Sequence, residues 1–404
     1  MRERKGRAVA ETKARLQIID SIALDGIAQK AFPGCVILAA QHGEIIYDKA
    51  FGNYEYGPSP SMSAESIFDL ASVTKVSATT VSVMKLYEEG LLDLNKPLGD
   101  YLPWTRGTNK AGLLIKDILL HQAGLVPFIT FYKETIDTNS GIPNPAIYSD
   151  KPKPGFTIRV AENIYMRNDW QDTMLLRILK SPLSSKNKYV YSDNDFIFLG
   201  KVIEQVSGLT LDQYAQKMFY NKIGMYSTGF KPRNRFQLEC LVPTETEKYF
   251  RRQTTTGDVH DEGASMFGGV AGHAGLFSNA YDLSLLYQML LNGGEINGER
   301  YLKPETIHFF TAYNSKVSRR GLGFDKPEKD NTTRKEPYPS LLASPETFGH
   351  TGFTGTCVWV DPKNDLVYIF LSNRVYPTRN NNKLSGMGIR GKIQDAIYKA
   401  LGVE

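Results

Sequence analysis

Strand-forming runs lie near both ends of this 404-residue chain, and helix-forming runs fill the space between them. Cys35 to Ala40 and Ile45 to Phe51 are short and apolar, parted by Gln41-His42-Gly43-Glu44, which reads as a hairpin with His42 and Gly43 at its turn. Gly355 to Val360 and Leu366 to Leu371 form a second such pair around Asp361-Pro362-Lys363-Asn364-Asp365. If the two pairs share one sheet, the chain between them must leave it and return. The expected class is therefore α/β (α+β): an antiparallel sheet flanked by terminal helices, with a mainly helical lobe inserted. The expected division is 8–69 with 266–404 for the sheet lobe and 70–265 for the insert. A chain this long can bury a sizeable core and divide in this way.

Periodicity supplies the helices. Leu16, Ile18, Ile19, Ile22, Ala23 and Ile27 recur at helical spacing within 8–31, and Pro33-Gly34 ends that run. Further helices are expected over Val76 to Tyr87, Ile115 to Leu120, Phe196 to Val206, Leu211 to Phe219, Leu276 to Leu291 and Gly388 to Leu401. His121 follows the second of these, where the helix dipole favours a structural histidine. Residues 125–188 are rich in Pro, Gly, Asn and aromatics (Phe128, Phe131, Tyr132, Tyr148, Tyr165, Trp170), and read as an irregular cleft-lining loop or lid. Residues 314–347 read as a polar loop.

Composition excludes several function classes. The net charge of +5 is spread along the chain and calls for no nucleic acid. Cys35, Cys240 and Cys357 are too scattered for a disulfide framework or a zinc pattern, so no metal and no cofactor are expected. No stretch is long and apolar enough to span a membrane. Met1 to Arg7 is charged and lacks the apolar segment of a signal peptide, which fits either a cytoplasmic protein or a trimmed chain.

The chemistry-bearing stretch is Phe68-Asp69-Leu70-Ala71-Ser72-Val73-Thr74-Lys75. A helix beginning here sets Ser72 and Lys75, three apart, on one face, as a nucleophile and the amine that takes its proton. A serine at a helix start also has an unpaired backbone N–H available to an oxyanion. The same spacing recurs at Ser82/Lys85, inside a continuing helix, and at Ser185/Lys188, in a polar run. Only Ser72 combines a helix start with apolar surroundings, where desolvation is expected to lower the amine's proton affinity. Tyr191-Ser192-Asp193-Asn194 offers a proton shuttle in two registers: Tyr191 with Asp193, or Ser192 with Asn194. His350-Thr351-Gly352-Phe353, ahead of a strand, offers a close backbone approach, a second oxyanion N–H and an edge for a peptide-like substrate.

Taken in order, these motifs resemble the serine β-lactamase and penicillin-binding protein superfamily, in its class C β-lactamase, DD-peptidase and esterase branch. Ser72-Val73-Thr74-Lys75 matches S-x-x-K, Tyr191-Ser192-Asp193 falls where the branch has Y-x-N, and His350-Thr351-Gly352 falls where lactamases have K-T-G. Phe196 to Gly200 follows the second motif as in many members, which favours the tyrosine register. Gly272-His273-Ala274-Gly275-Leu276-Phe277-Ser278 resembles a further stretch of the branch, read as a structural turn with His273 within it. The resemblance spans about residues 15–403 and implies the class C fold with the site at the seam of the two lobes.

It implies a serine hydrolase working through a Ser72 acyl-enzyme, with Lys75 and Tyr191 moving protons and the N–H groups of Ser72 and Phe353 holding the oxyanion. The substrate would be an amide or ester: a D-amino-acid peptide, a β-lactam or a small ester. The alternative is a sensor or binding module of the same fold that acylates without turnover. Asp193 in place of the amide cannot donate to a β-lactam side-chain carbonyl unless protonated. His350 in place of a permanent cation would make anion binding pH-dependent. The resemblance also implies a periplasmic or secreted location. Such modules follow a glycoside hydrolase in one polypeptide in some bacteria, so fusion to another hydrolase module is a further expected context.

Overall fold

In the computed structural model, which describes residues 11–184 and 188–403, the terminal strand pairs meet in one sheet. The chain runs α1 (Ile18–Ala28), β1 (Gly34–Gln41) and β2 (Glu44–Gly52), then leaves the sheet through α2 (Val81–Glu88) and α3 (Ile115–Leu119). It continues as β3 (Tyr148–Ser149), β4 (Ile158–Ala161), β5 (Ile164–Met166), α4 (Trp170–Lys180) and α5 (Asp193–Ser207). It returns as α6 (Ala280–Leu291), β6 (Phe348–Gly352), β7 (Thr356–Asp361), β8 (Leu366–Ser372) and α7 (Ile389–Ala400). Residues 8–10 of the expected first helix and Ser185 lie outside the described residues.

The main sheet is antiparallel, in the order β6-β7-β8-β1-β2. β1 and β8 sit inside it in direct register, Leu38 opposite Ile369, and both are apolar on both faces. A strand covered on both sides reads as a continuous apolar run rather than an alternating one. Cys35, Ile37 and Ala39 face one way, toward Ile19 of α1 and Ile393 and Ile397 of α7. Val36, Leu38, Ile369 and Leu371 face the other way, toward Leu283 and Leu286 of α6. That second core continues without a break through Val81 and Met84 of α2 to Phe196 and Leu199 of α5. The β1–β2 hairpin turns through His42 and Gly43 at φ 54° and 74°, the left-handed pair that a tight hairpin requires.

The segment 125–188 departs from its expected irregularity. It contains a three-stranded sheet, β3-β5-β4, and the eleven-residue helix α4. Met174 and Ile178, four apart, bury one narrow stripe of α4 while its charges face outward. α6 begins at Ala280 rather than Leu276. Asn279 caps it, its side chain accepting the Asp282 N–H at 2.8 Å, while Phe277–Ser278 pairs as a short strand with Phe68–Asp69. A cap and a strand bridge outweigh apolar periodicity there.

One backbone crossing aligns the helical part with the site. A Cβ on Gly272 would stand 2.0 Å from the Phe196 carbonyl oxygen of α5, and the Gly272 carbonyl accepts the Thr79 hydroxyl at 2.6 Å. Gly272→Ala must therefore push α5 away from the segment that follows Ser72. The expected cost is about 2 kcal/mol of stability, typical of overpacking, read as a lower urea midpoint with an unchanged slope.

Candidate active site

The Ser72 turn is held from both sides. Leu70 N–H bonds to the Leu276 carbonyl at 3.0 Å, and the Asp69 and Leu70 carbonyls accept the hydroxyls of Thr354 (2.7 Å) and Thr356 (3.0 Å). Ala71 takes φ 47°, an uncommon left-handed conformation for a residue with a side chain. The buried Asp69 carboxylate stabilises it by accepting the Ala71 N–H at 2.8 Å and the His260 N–H at 2.7 Å. A three-ten turn over Ala71–Val73 and a wide π-type turn over Lys75–Thr80 follow, ahead of α2. Val73 bonds back to Leu70 at 3.1 Å, so the amides on either side of Ser72 are both committed.

Lys75 is fully buried and uses its three donors on three partners. Its Nζ donates to Ser72 Oγ at 2.9 Å, Asp193 Oδ1 at 2.7 Å and the His273 carbonyl at 3.1 Å. The expectation of a lowered proton affinity is overturned. Burial does pull the ammonium down, but the Asp193 carboxylate, with the Tyr191 phenol beyond it, outweighs burial and pushes Lys75 up to about 12. Asp193, expected to face substrate, is thus first of all the counter-ion of Lys75. Its side chain still lines the cavity and is about one-quarter exposed.

Tyr191 packs beside this pair, its ring centre 5.0 Å from Lys75 Nζ and 6.0 Å from both Arg320 Cζ and the His350 ring centre. Of the serine register, Asn194 lines the cleft and Ser192 does not. Ser192 is buried and gives its hydroxyl to the Val126 carbonyl at 2.6 Å, and Asn194 gives its amide to the same oxygen at 2.9 Å.

His350 is a second correction. It is buried, with Nδ1 donating to the Thr351 carbonyl at 2.7 Å. Burial, with Arg320 nearby, pulls its proton affinity down to about 3, so it stays neutral at physiological pH and does not act as a titrating anion site. Permanent charge comes from the segment 314–347 instead. Arg319 grips Asp325 with two bonds of 2.7 and 3.0 Å, and Tyr338 donates to the same carboxylate at 2.7 Å. Arg320 is almost fully buried and also lines the cavity.

The strand edge is only partly free. Asp325 pairs with Gly349 through two backbone bonds of 2.9 and 3.0 Å, and by alternation the next outward peptide groups are those of Thr351 and Phe353. Gly352 lies directly on the Ser72 turn, where a Cβ would stand 2.4 Å from the Leu70 carbonyl oxygen. Phe353, half exposed, sits under the Arg374 guanidinium at 4.4 Å.

Ser72, Tyr191, Asp193, Arg320, His350 and Phe353 line one cavity of about 770 Å³, with Lys75 behind Ser72. Phe128, Phe131 and Tyr132 supply its aromatic wall, whereas Tyr148, Tyr165 and Trp170 lie outside it. Sequence reasoning missed the arginines of this cavity. Arg319 and Arg320 stand in a run with other charges, and nothing in that run separates a buried guanidinium from a solvated one. It also treated His273 as a turn residue, whereas its carbonyl holds Lys75 and its ring bonds Asp261 at 2.7 Å. Among the described residues no group of acidic, histidine or cysteine side chains is placed to hold a metal ion, and no helix is long and apolar enough to cross a membrane.

The β-lactamase family model matches residues 19–385. The Escherichia coli (strain K12) protein named "Putative D-alanyl-D-alanine carboxypeptidase" is 30% identical over 92% of this chain and 87% of its own length. EstCE1, described as a hydrolase with promiscuous acyltransferase activity, superposes with a TM-score of 0.67 at 21% identity, over 97% of this chain and 99% of its own. A class C β-lactamase from Rhodobacter sphaeroides superposes at 0.65 with 15% identity, over 95% and 99% of the two chains. At these identities the two structures show the class C fold and no more.

Replacing Asp193 with Asn removes the main charge that keeps Lys75 protonated and leaves burial in command. The free amine of Lys75 is therefore expected to appear at lower pH in Asp193→Asn than in the wild type. NMR titration of labelled lysine, with the Lys75 signal assigned through Lys75→Arg, reads the shift. An unchanged or higher midpoint in Asp193→Asn would contradict the ion-pair account.

Proposed function

The chain belongs to the β-lactamase family, whose named relatives and neighbours are hydrolases of the lactamase, carboxypeptidase and esterase type, and from that premise we propose a serine acyl hydrolase working through Ser72. The observation that carries this reading is the 2.9 Å contact from buried Lys75 Nζ to Ser72 Oγ, at the floor of a cavity that Tyr191 and the Thr351 edge also line.

The resting pair is Lys75 ammonium and Asp193 carboxylate. A substrate that displaces water lowers the local polarity, which favours the neutral pair, with the proton moved from Nζ to Asp193. Lys75 then accepts the Ser72 hydroxyl proton as Oγ attacks the acyl carbon. The developing oxyanion is held by the N–H groups of Ser72 and Phe353. Tyr191 gives its phenolic proton to the leaving nitrogen or oxygen and regains one from Lys75. Water, relieved of a proton through Tyr191, attacks the acyl-enzyme, and Ser72 Oγ leaves as the hydroxyl.

The substrate class best supported is a short D-amino-acid peptide or a small ester, rather than a β-lactam. Asp193 uses Oδ1 on Lys75 and, as a carboxylate, has no N–H for a side-chain carbonyl. Arg374 and Arg390, whose bonds run to backbone carbonyls and Ser385, leave cationic surface at the Phe353 end of the cavity, suited to an anionic terminus.

Incubation with a fluorescent penicillin, a D-alanyl-D-alanine peptide and p-nitrophenyl acetate tests this reading. Ser72→Ala is expected to lose both labelling and turnover. Lys75→Arg is expected to lose about 1,000-fold or more, since a guanidinium cannot give up its proton at working pH. Equal behaviour of wild type and Ser72→Ala on all three would remove Ser72 as nucleophile. Stable labelling without turnover would identify the sensor instead.

A further inference from the structure

His121 lies just beyond α3 with φ 55°, a left-handed conformation that histidine, like asparagine and aspartate, adopts more readily than most side-chain-bearing residues. It is fully buried and meets residue 191 from three directions. Its carbonyl accepts the Val190 N–H at 2.9 Å, and its Nδ1 lies 3.2 Å from the Ser192 N–H. Its ring packs against the Tyr191 ring at a tilt of 44°, the centres 4.6 Å apart. Both amides flanking Tyr191 therefore end on one residue, whose side chain also touches the phenol ring.

Behind the imidazole stands Asp195, with Oδ2 2.8 Å from the same Nδ1, and neither side chain is open to solvent. An Nδ1 that accepts from Ser192 has no proton to give Asp195, so the proton of the shorter contact belongs to the carboxyl. Burial agrees: it pulls His121 well below the usual histidine range and pushes Asp195 well above the carboxylate range. Lys75 and Arg320 face both groups, with His350 also facing His121 and Asp193 also facing Asp195. His121 Nε2 and Asp195 Oδ1 have no partner among the described residues. An apolar pair would pack against Phe196 without that unfavourable burial, so filling space does not explain the choice.

We propose that His121, backed by a neutral Asp195, is the positioning residue of Tyr191, holding the phenol at the angle from which it hands over its proton. The proposal rests on the reading of Tyr191 as a proton relay given above. The buried polar pair is then the cost of a rigid tyrosine.

Variants of the full chain, labelled with 3-fluorotyrosine, test it by fluorine NMR and by p-nitrophenyl acetate kinetics. The Tyr191 line is assigned by its loss in Tyr191→Phe. His121→Gly, which relieves the backbone and removes the ring, is expected to shift and broaden that line and to lower kcat about 100-fold while KM stays within about twofold. His121→Asn keeps an acceptor at the δ position and suits the left-handed backbone. Asp195→Asn keeps a donor toward Nδ1. Both are expected to recover most of the rate and a single sharp line, and Asp195→Leu is not. A wild-type rate and line in His121→Gly would overturn the proposal, as would an Asp195→Asn loss equal to that of Asp195→Leu. If His121→Gly does not fold, the two asparagine variants against Asp195→Leu decide. If the wild type shows no Ser72-dependent turnover, the hydrolase reading fails, and the fluorine line still decides the role of His121.

Discussion

The buried ammonium of Lys75 organises the site. Lys75 Nζ has three donors and nowhere to lose them, so three acceptors must converge on one point in a low-polarity interior. Each comes from a different part of the chain: Ser72 from the turn before it, Asp193 from the start of α5, and His273 from the loop that leads to α6. An unmet donor there would be expensive. The requirement therefore fixes where α5 and the 272–276 loop lie relative to the Ser72 turn, and it is met by backbone approaches that only glycine allows, as at Gly272 and Gly352.

The same ion pair shapes the chemistry. A lysine kept charged by a carboxylate is a strong hydrogen-bond donor to Ser72 and a poor base until the pair is neutralised. The cavity supplies a means, since a substrate that excludes water weakens the case for separated charges. The Arg319–Asp325 bridge and the buried Arg320 place fixed charge around Tyr191, and the neutral His350 beside it adds no group that titrates near neutrality. On this account the site is tuned by its second layer of residues as much as by the serine itself.

Elements with a strong local cause were legible in advance. The β1–β2 hairpin, β7, β8, α5 and α7 follow from apolar runs punctuated by His42-Gly43, Asp365 and Gly208, each of which adopts the left-handed backbone its position demands. Elements whose cause is distant were not. α4 buries too narrow a stripe to stand out among its charges. The N-terminal limit of α6 was misplaced because Phe277 and Ser278 belong to a strand whose partner is two hundred residues away. Within the site, Ser72, Lys75, Tyr191 and the Thr351 edge were legible because spacing within one segment defines them. The roles of Asp193 and His350 were not, because a carboxylate 2.7 Å from an ammonium and an imidazole sealed against its own backbone are facts of packing.

The order of residues alone determined the class of the fold and singled out Ser72 as the candidate nucleophile, through periodicity and through a serine and lysine three apart at a helix start. Tertiary structure alone decided the proton state of that lysine. Burial and a counter-ion act on it in opposite directions, and which one wins depends on the distance to Asp193, a residue that no local rule places beside it. It also decided that the charge of the cleft comes from arginines while His350 stays silent, because burial discharges an imidazole and leaves a guanidinium charged.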